Sequence, residues 1–188
     1  MRHPALDLVN SLHVRAADVT EDRLDDPQWL AAFGRRWSLP TLDFESRASG
    51  LQELRELLRA LIDELSATHD LKPESLKALA RFLPTKATRV VLERLDGGRF
   101  RVAHLAEERE CAIERIATAF AELVAADGGQ RIKSCDNRHC RWTFYDGSRN
   151  RSRRWCDSSE CGNVMKARAF RLRQRAARKR GARRASPA

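Results

Sequence analysis

The chain has 188 residues, 42% hydrophobic and 33% charged, with a formal net charge of +10; this fits one sizeable domain, or a domain with a small appendage. No stretch approaches the ~18–20 uninterrupted apolar residues of a membrane-crossing helix, so no membrane partner is expected. The charge is uneven: from Arg131 onward there are 18 Lys+Arg against 4 acidic residues (+14), whereas the first 130 residues hold 18 against 22 (−4). One end is therefore built to meet a polyanion.

The opening MRHPALDLVNSLH lacks an apolar run ahead of a small-residue cleavage site, so a reducing cytoplasm is the expected compartment. Leu6, Val9 and Leu12, at i, i+3 and i+6, predict a short first helix. Asp26 as N-cap and Pro27 at the first helical position open a second, with Trp29, Leu30, Phe33 and Trp37 on its apolar face and an end at Ser38-Leu39-Pro40. Leu51, Leu54, Leu57, Leu58, Leu61, Ile62 and Leu65 form the clearest helical stripe. Pro73 opens a short helix carrying Leu76, Leu79 and Leu83. ATRVVLERL and RFRVAHL flank Asp96-Gly97-Gly98 and predict a β-hairpin near 88–105. A last helix runs from about Ala106 to Ala126, with Ile113, Ile116, Phe120, Leu123 and Val124 inward. Asp127-Gly128-Gly129 ends it and marks a boundary between residues 1–129, mostly α with a small β-hairpin (an α+β domain), and residues 130–188.

The first half contains no nucleophile elbow, phosphate loop, HExxH or dinucleotide fingerprint, and no enzyme activity is expected. Asp7, Asn10 and His13 read as capping and surface hydrogen-bonding groups. His69 and His104 read as ordinary histidines, and Cys111 as a small hydrophobe.

Four of the five cysteines fall in SCDNRHCRWTFYDGSRNRSRRWCDSSECGNVM, as Cys135-x4-Cys140 and Cys156-x4-Cys161 separated by fifteen residues. Zinc takes four thiolates in a tetrahedron, and two short-range pairs leave only one long loop to close. One structural zinc per chain is therefore expected on Cys135, Cys140, Cys156 and Cys161. Two disulfides and a zinc-thiolate redox switch are the alternatives, the latter because nearby arginines lower thiol pKa values. His139 reads as a solvent-facing loop residue. A closed four-thiolate site has no open position for water, which argues against metal catalysis. RWTFYD and the run to Trp155 predict two strands around Asp146-Gly147-Ser148, followed by a helix whose first turn supplies the last ligand. This is a treble-clef-like module of β-hairpin plus helix, with Trp142, Phe144 and Trp155 as its miniature core. Met165, Ala169, Leu172 and Ala176 give the helix a narrow apolar seam.

Arg149, Arg151, Arg153 and Arg154 lie between the cysteine pairs, and Lys166, Arg168, Arg171, Arg173, Arg175 and Arg178 follow on the helix. The run from Lys166 to Arg184 contains no acid. A solvated face ordinarily mixes both signs, so these ten residues are the expected nucleic-acid contacts.

C-x4-C, then WTFYDGSRNRSRRWCDSSECGN and KARAFRLRQR, resembles the bacterial CGNR-type zinc finger over roughly residues 131–175. The front half, beginning LDLVNSL, is similar to the ABATE domain of stress-induced transcriptional regulators. The resemblance implies that the four cysteines bind zinc and the arginines contact DNA. It departs at one place, where Val164 stands for the family's arginine in CGNR. The leading expectation is a bacterial, zinc-dependent regulator that binds double-stranded DNA, its N-terminal domain sensing a small-molecule effector or forming a homodimer. The alternative is a zinc-stabilised RNA- or protein-interaction module, redox-responsive in one version, in which Trp142, Phe144, Tyr145 and Trp155 stack on unpaired bases.

Overall fold

The computed structural model describes residues 3–15, 19–40, 44–85, 88–96, 99–106, 111–137 and 139–184. Six helices and three two-stranded antiparallel ladders follow in the order α1 (Pro4–Val9), β1 (Leu12–Arg15), β2 (Val19–Asp22), α2 (Pro27–Trp37), α3 (Phe44–Thr68), α4 (Pro73–Ala80), β3 (Thr88–Arg94), β4 (Phe100–Ala106), α5 (Ala112–Asp127), β5 (Ile132–Ser134), β6 (Thr143–Tyr145) and α6 (Asn163–Arg184). The expected class, mostly helical with small antiparallel sheets and a C-terminal cysteine module, is the one found.

The core lies where the helical stripes predicted it. Leu51, Leu54, Leu58, Leu61, Ile62 and Leu65 of α3 are buried against Ile116, Ala117, Phe120 and Leu123 of α5. Leu30 and Phe33 of α2 close one side, with Trp29 stacked on Phe33 at 4.9 Å. The helix-opening device of α2 is also present, since the Asp26 carboxylate accepts the Gln28 N–H at 2.8 Å. At Gly50 a side chain would meet Ile113 Cδ1 at 2.6 Å, so its absence lets α3 approach α5. Gly128 and Gly129, at φ 65° and 69°, turn the chain out of α5 in the left-handed region that favours glycine.

Several local expectations are corrected. Leu12 does not extend the first helix: Asn10 and Ser11 leave it, and Leu12 begins β1, which pairs with β2 from Leu12↔Asp22 to Arg15↔Val19. α1 is not amphipathic, because Ala5, Leu6, Leu8 and Val9 are all buried; it sits among α3, α5 and β6. Helix α4 stops at Ala80 and leaves Leu83 outside it, while Leu76 is half exposed. Ala106 ends β4, and the last helix of this half begins at Ala112. The β3–β4 hairpin forms as expected, though Gly97 and Gly98 of its turn lie outside the described residues. Leu92↔Val102 and its neighbours Val90 and Phe100 are all 60% exposed or more.

The C-terminal module shares the helical core. Ile132 of β5 is buried within it and Tyr145 of β6 packs on it. The Asn10 amide bridges the two halves through three buried contacts to Thr143: Nδ2 donates to its carbonyl (2.9 Å), and Oδ1 accepts its N–H (2.8 Å) and its hydroxyl (3.1 Å). An Asp22–Arg55 pair at 2.5 Å ties β2 to α3.

Two predictions follow from this packing. Asn10→Ala strands the buried N–H and C=O of Thr143, and urea unfolding should show a loss of about 3 kcal/mol. His3 is buried beside α5, and desolvation, opposed by Asp7, lowers its pKa to about 4. A base whose folded pKa is depressed contributes stability above its unfolded value that is lost as pH falls through the folded one. Stability measured by denaturant should therefore decline from about pH 6.5 to pH 4, and His3→Gln should flatten that slope.

Candidate metal centre and basic surface

β5 delivers Cys135, which is 7% exposed and donates its N–H to the Trp142 carbonyl at 2.8 Å. A tight turn follows, with Cys140 N–H on the Asn137 carbonyl at 2.7 Å, and β6 returns. The first cysteine pair therefore sits on the loop joining β5 to β6. This corrects the expected strand pairing: β6 pairs back to β5, in the register Ile132↔Tyr145 to Ser134↔Thr143, and residues 149–155 form no strand.

Asp146 explains that difference. Its side chain is fully buried and accepts from Lys133 Nζ (2.8 Å), Ser148 N–H (2.9 Å), Ser148 Oγ (2.5 Å) and Arg153 N–H (2.9 Å). Backbone donors that a second strand would have paired are used on this one carboxylate, and residues 146–153 curl around it. Burial opposes its ionisation, but Lys133, Ser148 and the Arg153 N–H hold its pKa well below the usual carboxylate range. Lys133 also reaches the Arg151 and Arg153 carbonyls.

The second pair straddles a wide helical turn, Ser158–Gly162, that leads into α6. The Asp157 carboxylate caps that turn through the N–H groups of Ser159 (2.6 Å) and Glu160 (2.9 Å). Gly162 is buried against Trp155, whose ring a β-carbon would approach to 3.3 Å. Cys161 thus arrives in the wide turn immediately before α6, where the sequence had predicted the first turn of the helix itself.

The four sulfur atoms all lie within 4.8 Å of one another. Cys140 and Cys156 are 3.5 Å apart, and Cys156 and Cys161 are 3.7 Å apart. Disulfide sulfurs stand about 2.05 Å apart, whereas thiolates about 2.3 Å from one zinc in a tetrahedron stand about 3.8 Å apart. The donor set and spacing fit zinc, and the four cysteines make a single zinc site. Backbone N–H of Cys156 points at Cys135 Sγ, and Asn137 Nδ2 at Cys161 Sγ, both at 3.5 Å. These contacts orient the sulfurs as outer partners of a metal. Burial pushes the Cys140 thiol up to about 11 and raises Cys156 as well. Burial also opposes ionisation of Cys161, but the Asn137 amide and neighbouring thiols outweigh it and lower its pKa. Bound zinc supplies a cross-link among loop, turn and helix start, and its binding contributes folding free energy.

The expected basic residues divide into two groups. Arg153 lies over the Phe144 ring at 4.6 Å and donates to the Trp155 and Cys156 carbonyls. Arg154 stacks near Trp155 and pairs with Asp136 at 2.5 Å, Lys166 also stands over Trp155, and Arg151 contacts Gln130. These four brace the module while remaining exposed. Arg149, Arg168, Arg171, Arg173 and Arg175 are exposed with no ion pair among the described residues. The side chain of Arg178 lies outside the described residues. Helix α6 packs on the ligand turn and then projects. Met165 is half-buried, but Ala169, Leu172 and Ala176 are exposed, so the predicted seam has no partner beyond the first turn. Val164 is 58% exposed, so the site's packing does not require the missing arginine. His139 is exposed, as expected.

Sequence reasoning missed Asp146 and Arg59, and it read Asn10 as a capping and surface group where the structure buries it against Thr143. Arg59 Nη1 donates to the Arg141 carbonyl at 2.6 Å, and Ser134 Oγ contacts Asp63 Oδ1 at 3.0 Å, so α3 grips both sides of the first cysteine pair. The Asp-Gly-Ser turn was the available signal for Asp146; the long-range partners left none.

Two family matches agree with this geometry. ABATE, described as "Putative stress-induced transcription regulator", matches residues 2–127, and the CGNR zinc finger matches residues 131–174. Neither is an enzyme family. No curated protein matches the chain.

The purified protein should hold one zinc per chain by metal analysis. Asp146→Asn removes the anion facing Lys133 and should cost about 3 kcal/mol. A chromogenic chelator should then strip zinc from the variant faster than from the parent.

Proposed function

The chain belongs to the ABATE family, joined here to a CGNR zinc finger, and from that premise we propose that it is a zinc-dependent, double-stranded-DNA-binding transcription regulator of the bacterial cytoplasm. Residues 1–129 form the sensing or dimerising domain, and residues 130–188 hold the DNA. The observation that carries this reading is α6, acid-free from Lys166 to Arg184 and anchored at its start by the turn that bears Cys161. Arg168, Arg171 and Arg175, at i, i+3 and i+7, lie toward one side of it. Such a row can follow a phosphate backbone or enter a major groove, and backbone contact alone carries no sequence information. Arg149 adds charge on the neighbouring loop. For the N-terminal domain, the cavity beside α3 supports sensing, and the exposed apolar face of β3–β4 supports dimerisation.

The second reading, an RNA- or protein-interaction module with redox response, keeps the same zinc site. Against base stacking, Phe144 is buried beneath Arg153, and Tyr145 packs on the core with its hydroxyl donating to Asp127 at 3.0 Å. Trp142 and Trp155 are half-buried, and Phe170 on α6 is exposed.

Selection from a random duplex pool, with and without chelator, tests the proposal. An enriched motif that disappears on zinc removal is the expected result; uniform recovery, or metal-independent binding, would overturn it. With about six phosphate contacts, log K should fall with log salt at a slope near −5. Replacing Arg168, Arg171 and Arg175 by Gln should make that slope shallower by about 2.7, and single-stranded RNA at matched salt should compete poorly.

A further inference from the structure

Beside α1, the start of β1 and α3 lies a cavity of about 190 Å³, lined by Val9, Leu12, Arg55, Glu56, Arg59 and Arg141. It draws on both halves of the chain, because Arg141 directly follows the zinc ligand Cys140. Val9 and Arg55 are buried and form its floor, while Glu56 and Arg141 are exposed and stand at its rim. Three guanidinium groups and one carboxylate line the space, and one of the three, Arg55, is already paired with Asp22.

Arg55 also carries an unmet donor. Arg55 places Nη1 and Nη2 on Asp22 and Nη1 also on Ser11, yet its buried Nε has no acceptor. Unpaired buried N–H groups are rare in folded proteins and point to a water or ligand. Arg59 is in a related state. It donates to two backbone carbonyls, Val9 at 3.1 Å and Arg141 at 2.6 Å, and makes no ion pair among the described residues. Burial lowers its pKa, with Asp63 and the zinc ligand Cys140 opposing and Arg141 and Arg55 adding to the shift. An incoming anion would relieve that repulsion.

We infer that this cavity binds a small organic carboxylate, its anionic end among Arg55, Arg59 and Arg141 and its apolar body on Val9 and Leu12. The fork of a guanidinium matches a carboxylate. Size narrows the class: cavities of about 150 Å³ accept benzene, so one aromatic ring or a short branched chain fits and a nucleotide does not. Inorganic phosphate would satisfy the charge but leave the apolar wall wet.

The site deepens the sensing role proposed above and rests on that reading for its regulatory consequence. Arg59 grips the carbonyl of Arg141, which holds a left-handed φ of 52°. A carboxylate that engages both side chains acts directly on the loop that positions Cys140, and through it on the helix that meets DNA.

The test is calorimetric titration of the zinc-loaded full chain with benzoate, isovalerate, benzyl alcohol and inorganic phosphate. One of the two carboxylates should bind once per chain, with benzyl alcohol at least about tenfold weaker. Arg141→Glu should weaken binding by about tenfold or more. Glu56→Gln removes the rim anion and should tighten binding severalfold, a gain that a folding defect does not produce. Absence of carboxylate binding at millimolar concentration, indifference to both substitutions, or tighter binding of phosphate would overturn the assignment. DNA affinity measured in parallel separates the two readings. If neither carboxylate binds while DNA still binds, the site fails and the DNA reading stands. If benzoate binds but leaves DNA affinity unchanged, the sensing role fails and the site stands.

Discussion

Four thiolates held within 4.8 Å of one another repel unless a cation lies among them, and the position of α6 depends on that constraint. Each sulfur arrives from a different local structure: the end of β5, a tight turn, the segment after Trp155, and the capped turn before the helix. Few apolar contacts join these pieces, which are otherwise linked by polar ones such as Asp136 with Arg154 and Asn137 with Cys161. Of the module's aromatic residues only Phe144 is buried, and α6 packs chiefly on the turn that precedes it. The metal therefore replaces the hydrophobic core that so short a segment cannot build.

The module nevertheless borrows from its neighbour. Ile132 is inserted in the helical core, Thr143 is held by Asn10, Tyr145 by Asp127, and the Arg141 carbonyl by Arg59. All four contacts lie on or beside the β5–β6 hairpin, so the half of the zinc site carrying Cys135 and Cys140 is rigidly referenced to α1 and α3. The half carrying Cys156 and Cys161 has local supports in Asp157 with its turn and Trp155 against Gly162, and Asp136 with Arg154 ties it to the first half. Zinc strengthens that joint between a referenced half and a largely self-supported one. A strain applied at α3 has a short path to the metal.

Legibility in the sequence tracked the range of the interaction responsible. The stripe on α3, the Asp26-Pro27 start of α2 and the cysteine spacing are local chemistry, and each appeared where expected. β1 and β2 were missed because LHVR and VTED are short and polar, and Leu12 happens to continue the period of α1. The strand expected at 149–155 failed because a buried carboxylate at Asp146 outcompeted a ladder for the same donors. The seam on α6 has helical spacing, but spacing does not say whether anything packs against it. Asn10 and Thr143 are 133 positions apart, and nothing in either neighbourhood announces the other.

The projection of α6 has an energetic consequence. At about 1.5 Å per residue its 22 residues extend about 33 Å, with like charges recurring at i+3 and i+4 and the side chains from Lys166 to Ala176 all exposed. Repulsion of that kind frays an isolated helix, and this stretch has little tertiary packing to offset it. A surface of fixed negative charge would remove the repulsion and extend the helical order in the same event. Helix formation and polyanion capture then draw on one free energy, and residues on the outer face of α6 can tune both without disturbing a single contact in the core.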